Sequence, residues 1–371
     1  MVRLMDSLQR ASFNDQKIDL IISADLPTPE ITEYLSQLNW KHGEIKIKVR
    51  DPKLGLLNHM VTSVSEALSV YNSVIVLEDD VVVSNHFYHY AEKATEFYYD
   101  EPHVAGISLY SYYIAENSFN SFIPLNNSHD TFFMQVASSW GEIFTKSQWD
   151  SFSNWLEQKP ENVRLPGYVK QWSEHSWKKM FVEYLISQNL FVVYPYISLS
   201  SNFADKGENV PTSLDLYQTP LLVNKKQYSF CDFTEKAIKY DAYFEMLPSC
   251  FGFTNELIDK DFVVDLRGSK HLVDYKNKYW LTTKPCKNPV KTYGLNMIPK
   301  ELNILFDIRG KEVSLCLQEN ISDRRSQNKL ESMNLIFQIF HGIGNSGSVF
   351  MKFFRVKFHF ASAALKRSLK L

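Results

Sequence analysis

Residues 73–87 read SVIVLEDDVVVSNHF. Val74, Ile75, Val76 and Leu77 form a continuous apolar run of strand length, the pattern of a strand covered on both faces. It runs directly into three acids, Glu78, Asp79 and Asp80. Carboxylates at the carboxyl end of a sheet strand point into the crevice where open α/β sheets take ligands. One of them can hold Mg²⁺ or Mn²⁺, hard cations that prefer oxygen ligands. A solvated acidic turn has the same spacing. Outward from this strand, helical and extended segments alternate. Helices are expected near residues 2–8, 30–38, 58–70 and 86–98. Strands are expected at 18–23, 45–49 and 104–110. That alternation predicts an α/β layered sheet, mostly parallel and flanked by helices.

Further along, residues 132–137 read as a strand, 147–156 and 173–188 as helices, and 190–194 as a strand ended by Pro195. Residues 202–211 (NFADKGENVP) read as a polar, glycine-containing loop. Near residue 222 the texture changes to short alternating runs at 262–266, 279–283 and 302–306, the signature of a smaller mixed or β-rich module. The expected organisation is therefore a first domain over 1–222, an accessory module over 223–330 and a tail over 331–371.

The chain has 371 residues, with 40 Lys+Arg against 42 Asp+Glu and a net charge of −2. That balance argues against a nucleic-acid binder, which carries a basic excess. No run of about 18 apolar residues is present to span a membrane. Residues 1–15 lack the apolar core of a secretory signal, so a cytoplasmic protein is expected. Cys231, Cys250, Cys286 and Cys316 contain no CxxC pair and are expected as reduced thiols. Glu331 is the last acidic side chain. From Lys352 onward six Lys/Arg interleave with Phe and Leu, which fits a cationic amphipathic helix on an anionic membrane surface, with residues 349–371 as the contact. A tail helix packed on the body with a solvated basic face fits equally.

The segment 73–87 resembles the metal-binding strand of GT-A fold glycosyltransferases, nearest to the N-acetylglucosaminyltransferase I-like group and its bacterial relatives. Residues 54–68 (LGLLNHMVTSVSEAL) resemble the helix before that strand, and His59 falls where the family places a donor-contacting His. Residues 138–144 (SSWGEIF), with Trp140 and Gly141, resemble the small-residue–Trp loop beside the reaction centre. Residues 198–208 (SLSSNFADKGE), with Asn202 and Gly207, resemble the loop that closes over the donor sugar. Residues 223–330 also resemble an accessory region of bacterial surface-polysaccharide transferases.

The resemblance implies a GT-A, Rossmann-like fold and an inverting sugar transfer in surface polysaccharide or lipopolysaccharide synthesis. The donor would be a nucleotide sugar and the acceptor a glycan or a lipid-linked sugar at the inner face of the membrane. It places Mn²⁺ or Mg²⁺ on Asp80, with Glu78 and Asp79 ordering the donor site. Asp25 takes the acidic position that contacts the nucleotide base, and a turn residue before Pro27 is the plain alternative. Two departures stand out. The family's sheet begins with a strand ahead of the first helix, whereas this chain opens in the helix at Val2. The family's base is the acid of a Trp-Asp pair, and the matching pair here is Trp177-Lys178. A protonated Lys accepts no proton unless its pKa is strongly lowered. Glu174, one helical turn earlier, is the nearest replacement, and Asp205 in the closing loop is second.

Other signals point elsewhere. His86 and His89 lie three apart on a helix without a matching acid or Cys cluster, as surface residues do. The aromatic run 110–113 suits either an acceptor groove or core packing. The rival functions are a sugar nucleotidyltransferase, which also gathers acids at a strand end, and a degenerate, non-catalytic relative kept for binding.

Overall fold

The computed structural model describes residues 1–160, 163–203, 217–252, 257 and 260–322. In chain order the elements of the first half are α1 (Val2–Arg10), β1 (Leu20–Asp25), α2 (Pro29–Ser36), β2 (Ile45–Arg50), α3 (Leu56–Leu68), β3 (Ser73–Val76), β4 (Val81–Val83), α4 (Phe87–Tyr98) and β5 (Val104–Ser108). There follow β6 (Thr131–Met134), β7 (Glu142–Thr145), α5 (Lys146–Glu157), α6 (Gly167–Lys170), α7 (Trp177–Gln188), β8 (Phe191–Pro195) and β9 (Ser200–Asn202). The last part holds β10 (Lys239–Tyr240), β11 (Phe262–Asp265), β12 (Tyr279–Thr282), β13 (Lys291–Tyr293), α8 (Leu302–Leu305) and β14 (Val313–Leu317). The α/β class is as expected.

The sheet is mixed and not mostly parallel. Its six strands run β10-β6-β8-β5-β7-β3. The pairs β10–β6 and β8–β5 are parallel, while β6–β8, β5–β7 and β7–β3 are antiparallel. β7, read from the sequence as a loop, makes two of the three antiparallel pairs, and β6 running against β8 makes the third. The four residues of β7, EIFT, insert antiparallel between β5 and β3. β1 and β2 pair in parallel as a separate two-stranded sheet.

Side-chain alternation along the central strands divides the core into two layers. Phe132 and Met134 of β6, Phe144 of β7, and Val192 and Tyr194 of β8 face one layer, with Trp149 and Phe152 of α5 and Phe181 and Leu185 of α7. Phe133, Ile143, Phe191 and Val193 face the other, with α1 and the α4 stripe Phe87, Tyr90, Ala91, Ala94 and Tyr98. Local chemistry sets the helix starts. Thr145 and Gln148 form a reciprocal capping box on α5, with bonds of 3.3 and 3.0 Å. The Ser176 hydroxyl accepts from the Lys179 backbone N–H at the start of α7, 3.4 Å. Asn189 stops that helix in the left-handed conformation, φ 53°. Residues 173–176 thus precede α7, so Glu174 does not share a helical face with Lys178.

The boundary expected at 222/223 falls ahead of β10, which is an edge strand of the six-stranded sheet. The second sheet begins at β11 and runs β11-β12-β14-β13, with one parallel and two antiparallel pairs. Residues 302–305, read among the short alternating runs, form the helical turn α8. Cys286 and Cys316 are joined in a disulfide, which corrects the expectation of four reduced thiols. β14 brings Cys316 to the 286–321 bridge with the two Cα atoms 6.5 Å apart, inside the span a disulfide needs. Cys231 and Cys250 are free and buried. The tail 331–371 lies outside the described residues. No helix among the described residues is long and apolar enough to cross a membrane.

One polar latch ties β2 to α3. Arg50 donates to both carboxylate oxygens of Glu66, 3.0 and 2.8 Å, and Lys48 donates to the same group at 2.5 Å. These bonds hold the Glu66 carboxyl down at about 2, from an ordinary 4.5. A depressed carboxyl pKa stabilises the fold above pH 4.5, and the gain is lost as pH falls toward 2. Because the carboxylate is about one third exposed, solvent screening reduces the gain to about 1 kcal/mol. Glu66→Gln is therefore expected to lower stability by about 1 kcal/mol at pH 7, with the difference from wild type vanishing near pH 2. Urea unfolding across pH checks this, and a constant difference would refute the latch.

Candidate functional site

A cavity of about 1940 Å³ extends from the space between β1 and β3 to the acids after β3. Asp25, His59, Glu78, Asp79, Asp80, Trp140, Lys178 and Asn202 all line it, although they come from six separate stretches of chain. The structure therefore gathers eight of the residues singled out from the sequence at one cleft. Gly141 is not in the lining. Its φ of +116° and the 3.1 Å approach of a Cβ to both Leu109 and Ser200 make it a packing glycine behind Trp140. Glu174 is not in the lining either. Its carboxylate is exposed and held by Lys179 at 2.5 Å, which lowers its proton affinity. That corrects Glu174 as the stand-in for the base. Asp205 and Gly207 lie outside the described residues.

The three acids differ sharply in environment. Asp79 is exposed, with its side chain 74% open. The Glu78 carboxyl is pushed up to about 7, chiefly by burial and then by the charges of Asp80 and Asp79. A hydrogen bond from Trp177 and the charge of Lys178 oppose that rise. Asp80 is likewise raised by burial and by Asp79, with the amino terminus and Arg3 acting against it. Its Oδ1 is buried with no hydrogen-bond partner, and so is the Oδ1 of Asn202. Val81, next to Asp80, pairs with Asn202 in the β4–β9 ladder, and the Phe203 N–H donates to the Asp80 carbonyl, 2.9 Å. A buried carboxylate oxygen without a donor is costly unless a ligand takes it. This donor suits a hard cation held by one protein carboxylate. Among the described residues, no three His, Cys, Asp or Glu side chains converge on one point.

Asp25 is engaged by backbone. Burial raises its pKa, but the Leu54 and Gly55 N–H groups, 2.7 and 2.9 Å away, outweigh burial and lower it. Its carboxylate thereby fixes the turn that opens α3. His59 hydrogen-bonds Ser23 Oγ through Nε2, 2.8 Å, and burial lowers its pKa, which favours the neutral ring at pH 7.

Lys178 occupies an aromatic cradle. Its Nζ lies 4.6 Å from the Trp172 ring centroid, 5.5 Å from Trp140 and 5.7 Å from Tyr112. It also forms an ion pair with Glu116 Oε1, 2.8 Å. Glu116, in the loop after β5, went unnoticed in the sequence. Its only signal there was an acid following the aromatic run 110–113. In that run Tyr110 and Tyr112 are core residues, each 1% exposed, and only Tyr113 is open. His89 bonds Asn14 and the Lys226 carbonyl and, among the described residues, belongs to no group of metal ligands.

Among known proteins, no family model matches this chain and no curated protein matches it.

Proposed function

We propose that this chain is a glycosyltransferase that moves a sugar from a nucleotide-sugar donor to a glycan or lipid-linked acceptor. The observation that supports the reading best is the orphaned Asp80 oxygen, at the carboxyl end of β3, in a cleft that also presents a buried carboxyl and an ammonium. Mn²⁺ or Mg²⁺, held through Asp80, would supply positive charge to the two donor phosphates. Lys178 adds a positive charge to the lining of the same cleft. Trp140 and Trp172 offer flat faces for a sugar ring. The acceptor hydroxyl oxygen attacks the anomeric carbon as the bond to the nucleoside diphosphate breaks, which inverts that centre. Glu78, a buried carboxyl in the lining of the same cleft, takes the hydroxyl proton in place of the exposed Glu174.

The test is to incubate the full chain with a panel of nucleotide sugars, Mn²⁺ and candidate acceptors. Release of nucleoside diphosphate with sugar transfer supports the reading. Release of pyrophosphate identifies a nucleotidyltransferase instead. No turnover and no donor-dependent thermal shift would leave a non-catalytic relative.

A lipid-linked acceptor would be met at an anionic membrane face, and residues 349–371 carry six positive charges and no negative ones. Each contributes on the order of 1 kcal/mol near an anionic bilayer, screened by salt. The full chain is expected to co-sediment with anionic vesicles at low salt and to release at high salt, whereas a chain ending at Ser348 stays in the supernatant. Equal partitioning of the two would remove the membrane from the proposal.

A further inference from the structure

Besides the acids, the same cleft is lined by the loop after β5, by α6 and the turn behind it, and by the segment between β11 and β12. Three lysines of this part, Lys178, Lys270 and Lys284, each face a carboxylate. Lys178 Nζ lies 2.8 Å from Glu116, Lys270 Nζ 2.5 Å from Asp241 and Lys284 Nζ 3.9 Å from Asp265. As formal charges these pairs cancel, which sets this part of the cleft apart from the acids after β3. Of the three pairs, Lys178–Glu116 alone has both members in the lining.

Aromatic rings frame that pair. Tyr217 packs on Trp140 with ring centroids 5.2 Å apart, and Tyr168 meets Trp172 edge-on at 5.5 Å; all four rings belong to the lining. Asn117, next to Glu116, lines the cleft as well. Its Nδ2 donates to the Tyr243 carbonyl and to Ser269 Oγ, 2.6 and 3.0 Å, while its buried Oδ1 has no hydrogen-bond partner. The segment between β11 and β12 thereby holds the loop that carries Glu116.

The chemistry of the pair selects its ligand. An anion drawn to the ammonium meets the carboxylate beside it, and a cation meets the reverse. A hydroxyl suits both, because it donates to Glu116 and accepts from Lys178. Two hydroxyls on adjacent carbons can engage both groups at once. The C–H faces of a sugar ring are apolar and lie flat on aromatic side chains.

We infer that Lys178, Glu116 and their aromatic frame form the acceptor subsite, and that it takes a neutral sugar ring through two adjacent hydroxyls. The ligand's part in the reaction rests on the transferase reading; its chemistry rests on the pair. Lys178 follows Trp177, whose side chain hydrogen-bonds Glu78, so the subsite adjoins the carboxyl proposed to take the proton. Asn117 Oδ1 is a further acceptor on the same wall.

The test uses the full chain without metal or nucleotide. Methyl glycosides of glucose, galactose, mannose and N-acetylglucosamine are titrated, with binding read by saturation-transfer NMR. At least one is expected to bind. Its 3-deoxy form keeps every other hydroxyl but has no adjacent pair, and is expected to bind about tenfold more weakly or worse. Methyl glucuronide is expected to bind no more tightly than methyl glucoside. The double substitution Lys178→Met, Glu116→Gln removes both charges together and strands neither, and is expected to weaken binding by about tenfold or more. Binding by none of the four, equal binding of the 3-deoxy form, preference for the glucuronide or undiminished binding in the variant would each overturn the inference. A chain that transfers no sugar can still pass this test and an active transferase can fail it, so the two readings fall separately.

Discussion

Asp80→Ala is expected to abolish Mn²⁺-dependent binding of nucleoside diphosphate, a loss of about 10²-fold or more in affinity, while the protein stays folded. The side chain lies after a strand end, its buried Oδ1 bonds nothing, and the hydrogen bond its carboxylate accepts is from its own backbone, so its removal breaks no bond to another residue. The backbone contact from Phe203 to the Asp80 carbonyl survives the change. Removing a carboxylate already penalised by burial and by Asp79 should leave Tm level or slightly raised. Titration calorimetry with and without Mn²⁺, beside a melting curve, reads both parts. Undiminished metal-dependent binding would take the cation away from Asp80.

Glu78→Gln is expected to lower turnover by about 10²–10⁴-fold with donor affinity retained, because the amide keeps the shape and cannot accept the proton. Donor affinity is what separates this outcome from a disturbed phosphate site. If turnover stays near normal, the proton goes elsewhere, and Glu116 beside Lys178 is the next carboxylate to replace. If affinity and turnover fall together, Glu78 serves the donor instead of the acceptor.

Much of the first half was legible because its segments carry single, strong periods. The apolar run of β3, the stripes of α3 and α4 and the alternation of β2 announce themselves. β7 and β9 were not legible. EIFT follows a Trp-Gly turn and SSN has no apolar side chain, so only the neighbouring strands make them extended. With β7 unseen, two of the antiparallel pairs could not be read, and the direction of β6 against β8 is a long-range pairing that local pattern does not encode. The disulfide depends on β14 lying against the 286 segment, a long-range pairing that spacing does not encode. At the site, residues on the strand end and on α3 were found because motif and element coincide there. Glu174 was misplaced because Ser176 starts the helix two residues beyond it. Glu116 was missed because a loop brings it to Lys178, 62 positions away.

Seven tryptophans are spread through the chain, and three of them, Trp140, Trp172 and Trp177, line the cleft. The remaining four, Trp40, Trp149, Trp155 and Trp280, are at most 8% exposed and outside it. The protein therefore carries its own optical gauge. Anything that settles against Trp140 and Trp172, or shifts the ammonium between them, alters the emission of a minority of indoles over a steady background. Occupancy of the cleft can be followed by intrinsic fluorescence without a label, and a Trp140→Phe, Trp172→Phe protein supplies the blank.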